Sequence, residues 1–169
     1  VDIKKASECR KCKQLMNLMV EDHRYLESGL DNVILRQIDT FRCDCGEKVV
    51  GIPKMPELNA LIGKTLAEKK SSLKGKEIRY LRKNMGFTAK KLSEIMGIDN
   101  ATISRWETDL QKPAKTHDHF FRLLYLTEKR VPIDQVKQIV ESIFPEIDSQ
   151  TSDSLDMVLT PEPWNSTSY

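Results

Sequence analysis

Behind Pro56, the segment "PELNALIGKTLAEKK" sets Leu58, Leu61, Ile62 and Leu66 three and four positions apart, which predicts a helix with one buried face over about residues 57–70. From Lys76 onward the same period returns in short bursts. Ile78, Leu81 and Met85 make one apolar face that Gly86 ends. Leu92, Ile95 and Met96 make the next, capped by Thr88 and stopped by Gly97. A third face, Ile103, Trp106 and Leu110, follows Asp99 as its cap, and "THDHFFRLLYLTEK" and "PIDQVKQIVESIF" add two more helices, the last with Pro132 at a position suited to a helix start. Five helices in about 70 residues predict an all-α bundle.

Upstream of Pro56 the period changes. "RYLESGLDNVILRQIDTFRC" reads as a strand, a turn at Ser28-Gly29 or Asp31-Asn32, and a second strand rich in β-branched and aromatic residues. The class is therefore α+β: a β-rich domain over 1–56, a helical linker over 57–75, a helical domain over 76–144 and a tail over 145–169. "SSLKGK" has the Ser and Gly content of a joint and puts the boundary near Lys74. The tail, "PEIDSQTSDSLDMVLTPEPWNSTSY", has five acidic residues and no Lys or Arg, so it cannot bury enough apolar surface to offset chain entropy and is expected to be disordered when alone. "LDMVL" and Trp164 are exceptions that either pack on their own protein or dock to a partner. Ile133, Val136, Val140, Ile143 and Phe144 form a stripe that belongs either to the core or to a second copy.

Charge sharpens this division. The net value of +2 conceals 11 Lys+Arg against 10 Asp+Glu in residues 1–65, 15 against 8 in 66–130, and 1 against 7 in 131–169. A basic middle gains affinity for phosphates by releasing counterions; the plain alternative is a solvated surface. No apolar run reaches the roughly 18 residues a bilayer demands and no signal segment opens the chain, so a cytoplasmic address and no membrane are expected. No Ser/His/Asp grouping, open metal site or phosphate-binding Gly loop is visible, which argues against an enzyme. His117 and His119 read as surface residues or helix caps rather than ligands.

Four cysteines lie within residues 9–45, too few and too clustered for a secreted disulfide scaffold. Cys9 and Cys12 form C-x-x-C; Cys43 and Cys45 form C-x-C-G. Two short pairs brought together by a β-hairpin suit tetrahedral, structural Zn2+, a closed shell with no place for water. Arg10, Lys11, Lys13 and Arg42 are placed to offset the thiolate charge. The single residue inside C-x-C leaves less room for backbone N–H groups to reach the sulfurs, and unrelated thiols or a redox pair are the alternatives.

Small Ser93, turn-forming Gly97 and the anchors Ile103 and Trp106 meet the steric demands of a helix-turn-helix at consistent spacings. With them, "EIRYLRKNMGFTAKKLSEIMGIDNATISRWETD" resembles the Cro/repressor (XRE) family of DNA-binding domains. That resemblance implies an ion pair between Arg82 and Glu107. A recognition helix enters the major groove by its N-terminal residues, so Asn100, Ala101, Thr102 and Arg105 are the expected base contacts, the first and last by bidentate hydrogen bonds and the other two by methyl contact. Thr88, Lys90, Lys91 and Ser104 are expected on phosphates. Where the family commonly has Gln at the start of the preceding helix, this chain has Ala89.

A cysteine-pair domain ahead of this module, together with "ESGLDNVILRQID", "CGE" and "KGKEIRYLRKNMG", resembles the MqsA/YgiT-type antitoxin and regulator family over residues 9–130. The resemblance implies a zinc-bearing N-terminal domain, a homodimer on a palindromic double-stranded DNA operator, and a toxin protein as a further partner. It implies a transcriptional repressor, the antitoxin of a type II toxin-antitoxin system that autoregulates its operon. A stand-alone regulator with no toxin is the alternative.

Overall fold

A computed structural model describes residues 8–143, 157–161 and 165–167. The chain forms two compact units, one of Val1–Glu27, Asp31–Leu58 and Asp156–Tyr169, the other of Ser28–Leu30 and Asn59–Leu155. Elements run β1 (Asn17–Arg24), β2 (Val33–Arg42), β3 (Lys48–Gly51), α1 (Met55–Ala67), α2 (Gly75–Asn84), α3 (Ala89–Met96), α4 (Asn100–Glu107), α5 (Lys115–Glu128), α6 (Ile133–Ile143), β4 (Met157–Thr160) and β5 (Asn165–Thr167). The α+β expectation holds, with the strands β1–β3 ahead of the helices as expected and β4 and β5 following them. α1 spans Met55–Ala67, and the two units meet within it, between Leu58 and Asn59.

In the first unit β2 is the central strand. β1 pairs with it antiparallel from Asn17↔Arg42 to Arg24↔Ile34, with a register shift between Glu21 and His23, and β3 pairs antiparallel at Asp39–Arg42. Gln37 takes a positive φ of 52° at the shift, which is where the extra β2 residue is absorbed. Val33, Leu35, Ile38, Thr40 and Phe41 are buried, the alternation breaking across Arg36 and Gln37 and again at Thr40 and Phe41.

Where the tail is described, the apolar exception within "LDMVL" packs on its own protein, the first of the two expected alternatives. β4 adds parallel to β2 at Val33↔Met157 through Leu35↔Leu159, and Met157, Val158 and Leu159 are buried. β5 then pairs antiparallel with β4. The apolar "MVL" run thus overrides the acidic composition around it, because three consecutive apolar side chains can bury while the backbone pairs. Tail residues 145–156, 162–164 and 168–169, Trp164 among them, and Phe144 of the expected apolar stripe lie outside the described residues.

In the second unit, of the residues the period selected, Ile62 and Leu66, Ile78 and Leu81, Leu92, Ile103 and Trp106 are buried, whereas Leu61, Met85, Ile95 and Met96 are half-buried. Phe121, Tyr125 and Leu126 join them from α5, and Ile139 from α6. The expected joint is a packed turn instead. Arg122, fully buried, donates from Nη1 to the carbonyls of Ala67 (3.1 Å) and Lys69 (2.6 Å), from Nη2 to that of Ser71 (2.7 Å), and from Nε to Asp118 (2.7 Å). Asp118 in turn accepts from the Leu73 N–H. One guanidinium thereby satisfies carbonyls that a turn leaves without partners. On α6, Ile133 is exposed, Val136 and Val140 are half-buried, and the buried residue is Ile139, which the expected stripe omits.

Candidate nucleic-acid interface and metal centre

α3, the turn at Gly97 and α4 form the helix-turn-helix. Thr88 caps α3 as expected, its hydroxyl oxygen accepting from the Lys91 N–H at 3.0 Å. Ser93 is buried and its hydroxyl donates to the Lys90 carbonyl, so the small residue at the crossing carries no unmet polar group. Gly97 adopts φ 66°, ψ 31°, a left-handed conformation that costs a glycine little and lets Ile98 N–H bond the Ser93 carbonyl.

On α4, Ile103, Trp106 and Glu107 point inward. The residues one step around the helix, Ala101, Ser104, Arg105 and Thr108, recur at i, i+3, i+4 and i+7 and are exposed. Asn100 is exposed beside them, whereas Thr102 is half-buried at the edge of the face. Lys90 and Lys91 are exposed at the start of α3. Thr108 donates its hydroxyl to the Ser104 carbonyl at 2.8 Å, which ends α4. Two sequence expectations fail here. Asp99 occupies the N-cap position, but its side chain makes no cap hydrogen bond. Leu110 is 81% exposed, because Asp109 takes φ 58° after the helix stops and the helical phase is lost before Leu110.

The Arg82–Glu107 pair is formed and is larger than expected. Glu107 accepts from Arg82 Nη2 at 3.0 Å and from Arg82 Nε, and Arg79 Nε adds a bond at 3.1 Å. Arg82 also donates to the Phe87 carbonyl at 2.7 Å. Burial raises the Glu107 carboxyl, but the hydrogen bonds from Arg82 and Arg79 outweigh it and hold the group below the usual carboxylate range. A second tie joins the end of α4 to the start of α2: the Gly75 N–H donates to Asp109 Oδ1 at 2.7 Å. Gly75 has no room for a side chain, since a Cβ there would lie 2.6 Å from the Trp106 carbonyl oxygen. His117, half-buried, sets its ring 5.4 Å from that of Trp106, and His119 is half-buried as well, so neither is the surface residue or cap expected. Arg79, Gly75 and Asp109 had no sequence signal, because a charged residue or glycine at a helix end has many uses until its partner is known.

The β1–β2 hairpin solves the thirty-residue gap between cysteine pairs. Asn17 and Arg42 are register partners, so the chain just before β1 and just after β2 meets at one end of the sheet. The first pair sits on a turn closed by the Glu8↔Leu15 bridge and by Lys13 N–H to Cys9 carbonyl, the second on a turn closed by Gly46 N–H to Cys43 carbonyl. All four sulfurs lie within 4.8 Å of one another, with Cys9 and Cys45 Sγ 3.6 Å apart and Cys12 and Cys43 Sγ 3.3 Å apart. A zinc tetrahedron with Zn–S of ~2.3 Å has S···S edges of ~3.8 Å, so the residues fit that ion. Backbone N–H groups reach the sulfurs of both pairs. That of Cys12 holds the Cys9 thiol down to about 7, that of Cys45 faces Cys43, and that of Glu47 faces Cys45, so C-x-C provides the contacts its spacing was expected to restrict.

Despite its backbone contact, the Cys43 thiol is pushed up to about 12 by the neighbouring Cys12, Cys45 and Cys9 thiols and by burial. Four sulfurs this close cannot all become anionic unless a cation joins them. Arg42 does not supply that charge as expected. Its guanidinium donates to Glu21 at 2.9 and 3.1 Å, and Lys48 meets the same carboxylate at 2.6 Å. These two partners, Lys48 first, hold Glu21 down to about 2. Arg10, Lys11 and Lys13 are exposed around the first pair.

Among the described residues, no helix is long and apolar enough to cross a membrane. No curated protein matches the chain. The family model described as Helix-turn-helix matches residues 78–117, from the second residue pair of α2 to the first turn of α5. That span contains the Gly97 turn, the exposed face of α4 and the Arg82–Glu107 pair, and over it the chain carries an XRE-type helix-turn-helix domain, the module of DNA-binding regulators.

Proposed function

We propose that this chain is a sequence-specific transcriptional repressor that lays α4 in the major groove of a palindromic operator as a homodimer. The observation that carries the reading is the outward face of α4. Ala101 and Ser104 in its first part and Arg105 in its last turn are exposed on the face away from buried Ile103, Trp106 and Glu107, and Asn100 is exposed at the helix start. Arg105 is suited to guanine O6 and N7, Asn100 to adenine N6 and N7, and the Ala101 and Thr102 methyls to a thymine methyl. Thr88, Lys90, Lys91 and Ser104 fix register on phosphates. In the first unit, Zn2+ held by Cys9, Cys12, Cys43 and Cys45 supplies folding free energy. The exposed Ile133 and half-buried Val136 and Val140 of α6 support pairing with a second copy.

Binding to DNA from the chain's own promoter region tests this. Arg105→Ala should cost about 1–3 kcal/mol on operator DNA and relax preference at one base pair, while Lys90→Ala or Lys91→Ala should weaken operator and random DNA alike and lower the salt slope by about 1. Equal losses on both DNAs for Arg105→Ala would remove it as a base reader. The antitoxin role is the finer part of the proposal: co-expression with the product of the adjacent gene should relieve that product's toxicity, and a harmless neighbour leaves a stand-alone regulator.

A further inference from the structure

The two helices of the motif treat their N-cap residues differently. Thr88 spends its hydroxyl on α3, but Asp99, in the extended N-cap conformation with φ −71° and ψ 142°, leaves its carboxylate off the first turn of α4. The Thr102 N–H is bonded by the Asp99 backbone carbonyl instead. Among the described residues the Asp99 side chain makes no hydrogen bond or ion pair, and it is exposed in line with Asn100 and Ala101. A carboxylate of this kind at a DNA-facing helix end repels phosphates and weakens binding to DNA of any sequence. It gains only where it meets a donor.

In the major groove, donors are few. Guanine presents two acceptors, thymine an acceptor and a methyl, and adenine a donor next to the N7 acceptor; cytosine alone offers its N4 amino group with no acceptor beside it on the same base. An ionised carboxylate accepts and never donates, so three bases repel it or meet it poorly. We propose that Asp99 reads a cytosine through its N4 amino group, at the base pair neighbouring the one that Asn100 contacts. The proposal rests on α4 entering the major groove. It assigns a base preference to a residue whose sequence position suggests only a cap.

The experiment is selection of bound sequences from randomised duplex DNA by the full-length chain, run in parallel for wild type, Asp99→Ala and Asp99→Asn, with a melting curve for each protein. The expected result is a wild-type motif containing a cytosine whose preference over the other bases falls about tenfold in Asp99→Ala. Affinity for random duplex should rise several-fold in both variants as the negative charge is removed. Asn carries both an acceptor and a donor, so Asp99→Asn should accept other bases at that position while the rest of the motif stays. If Asp99→Ala selects the wild-type motif unchanged, the proposal is overturned. A lowered melting temperature in Asp99→Ala that Asp99→Asn restores, with no change of motif, also overturns it and makes the residue a cap. A wild-type chain that selects no motif overturns the reading of α4 itself.

Discussion

Glu107→Ala removes the carboxylate on which two arginines of α2 converge. Its side chain is 5% exposed and that of Arg82 12% exposed, so this half of the network is a buried pair, whereas Arg79 is 50% exposed. Taking one partner from a buried pair costs about 3–5 kcal/mol because the other charge is stranded, and the screened Arg79 half adds roughly 0–1 kcal/mol. Arg82 keeps its bond to the Phe87 carbonyl, which places the expected loss near the lower end, about 3 kcal/mol. For a domain of this size each kcal/mol moves the melting temperature by about 4–8 °C, giving a drop of about 12–24 °C. Thermal and urea unfolding followed by circular dichroism measure it. Arg82→Ala should lose a similar amount and Arg79→Ala less than about 1 kcal/mol. Losses within about 0.5 kcal/mol for both Glu107→Ala and Arg82→Ala would refute the account of what holds α4 to α2.

The same group fixes the sign of an acid response. Its folded-state carboxyl is depressed, so the stabilisation is complete above the unfolded value of ~4.3 and disappears as pH falls through the folded value. The Glu107 contribution should therefore be lost on the acid side of about pH 4.3, and Glu107→Gln should flatten that limb of the curve.

Gly75→Ala forces a Cβ to within 2.6 Å of the Trp106 carbonyl and should cost about 1–3 kcal/mol in urea unfolding; an unchanged midpoint would mean that α2 has room to shift. Purified chain should contain zinc by elemental analysis, and chelation or Cys43→Ser should abolish hydrogen-exchange protection of the β1–β2 amides while the melting of the second unit persists; protection that survives metal removal would make the thiols incidental. Deleting residues 145–169 strips three buried side chains, Met157, Val158 and Leu159, from the sheet. At about 2 kcal/mol each, less the ordering entropy of the strand, a net loss of about 2–3 kcal/mol in the first unit is expected, and an unchanged stability there would show that β4 adds nothing.

What the sequence reveals about this molecule divides along the range of the interaction. Ile78, Leu92, Ile103 and Trp106 were legible because a helix repeats its inward face every three to four residues, and the core selects that period. The cysteine pairs were legible because metal-ligand spacing is local within each pair, and Asn17↔Arg42 register then closes the long gap. Leu110 fits the same arithmetic and fails it, because the period is valid only while the helix continues and Asp109 turns the chain first. β4 was legible as an apolar exception to an acidic tail, but its pairing with β2 was not, because that contact joins residues more than 120 positions apart.

Among the contacts that orient the outward face of α4, the Arg82–Glu107 pair was expected through the family resemblance, whereas those of Arg79, Asp109 and Gly75 were not legible, for a physical reason. Arg79 and Arg82 from α2, Asp109 beyond α4 and Gly75 at the start of α2 bear on the C-terminal end of α4, whereas Asn100 and Ala101 project from its first turn and Arg105 from its last. Hydrophobic burial is non-directional and leaves a helix free to rotate or slide by small amounts. Hydrogen bonds and a close backbone approach at Gly75 have directions, so they fix the angle at which the N-terminal turn is presented. A base contact tolerates only small errors in that angle. The prediction for Glu107→Ala therefore extends past stability: at temperatures where the variant remains folded, operator preference should fall more than affinity for random DNA, because the phosphate contacts proposed for Lys90 and Lys91 would tolerate a tilt that the bidentate contact proposed for Arg105 would not.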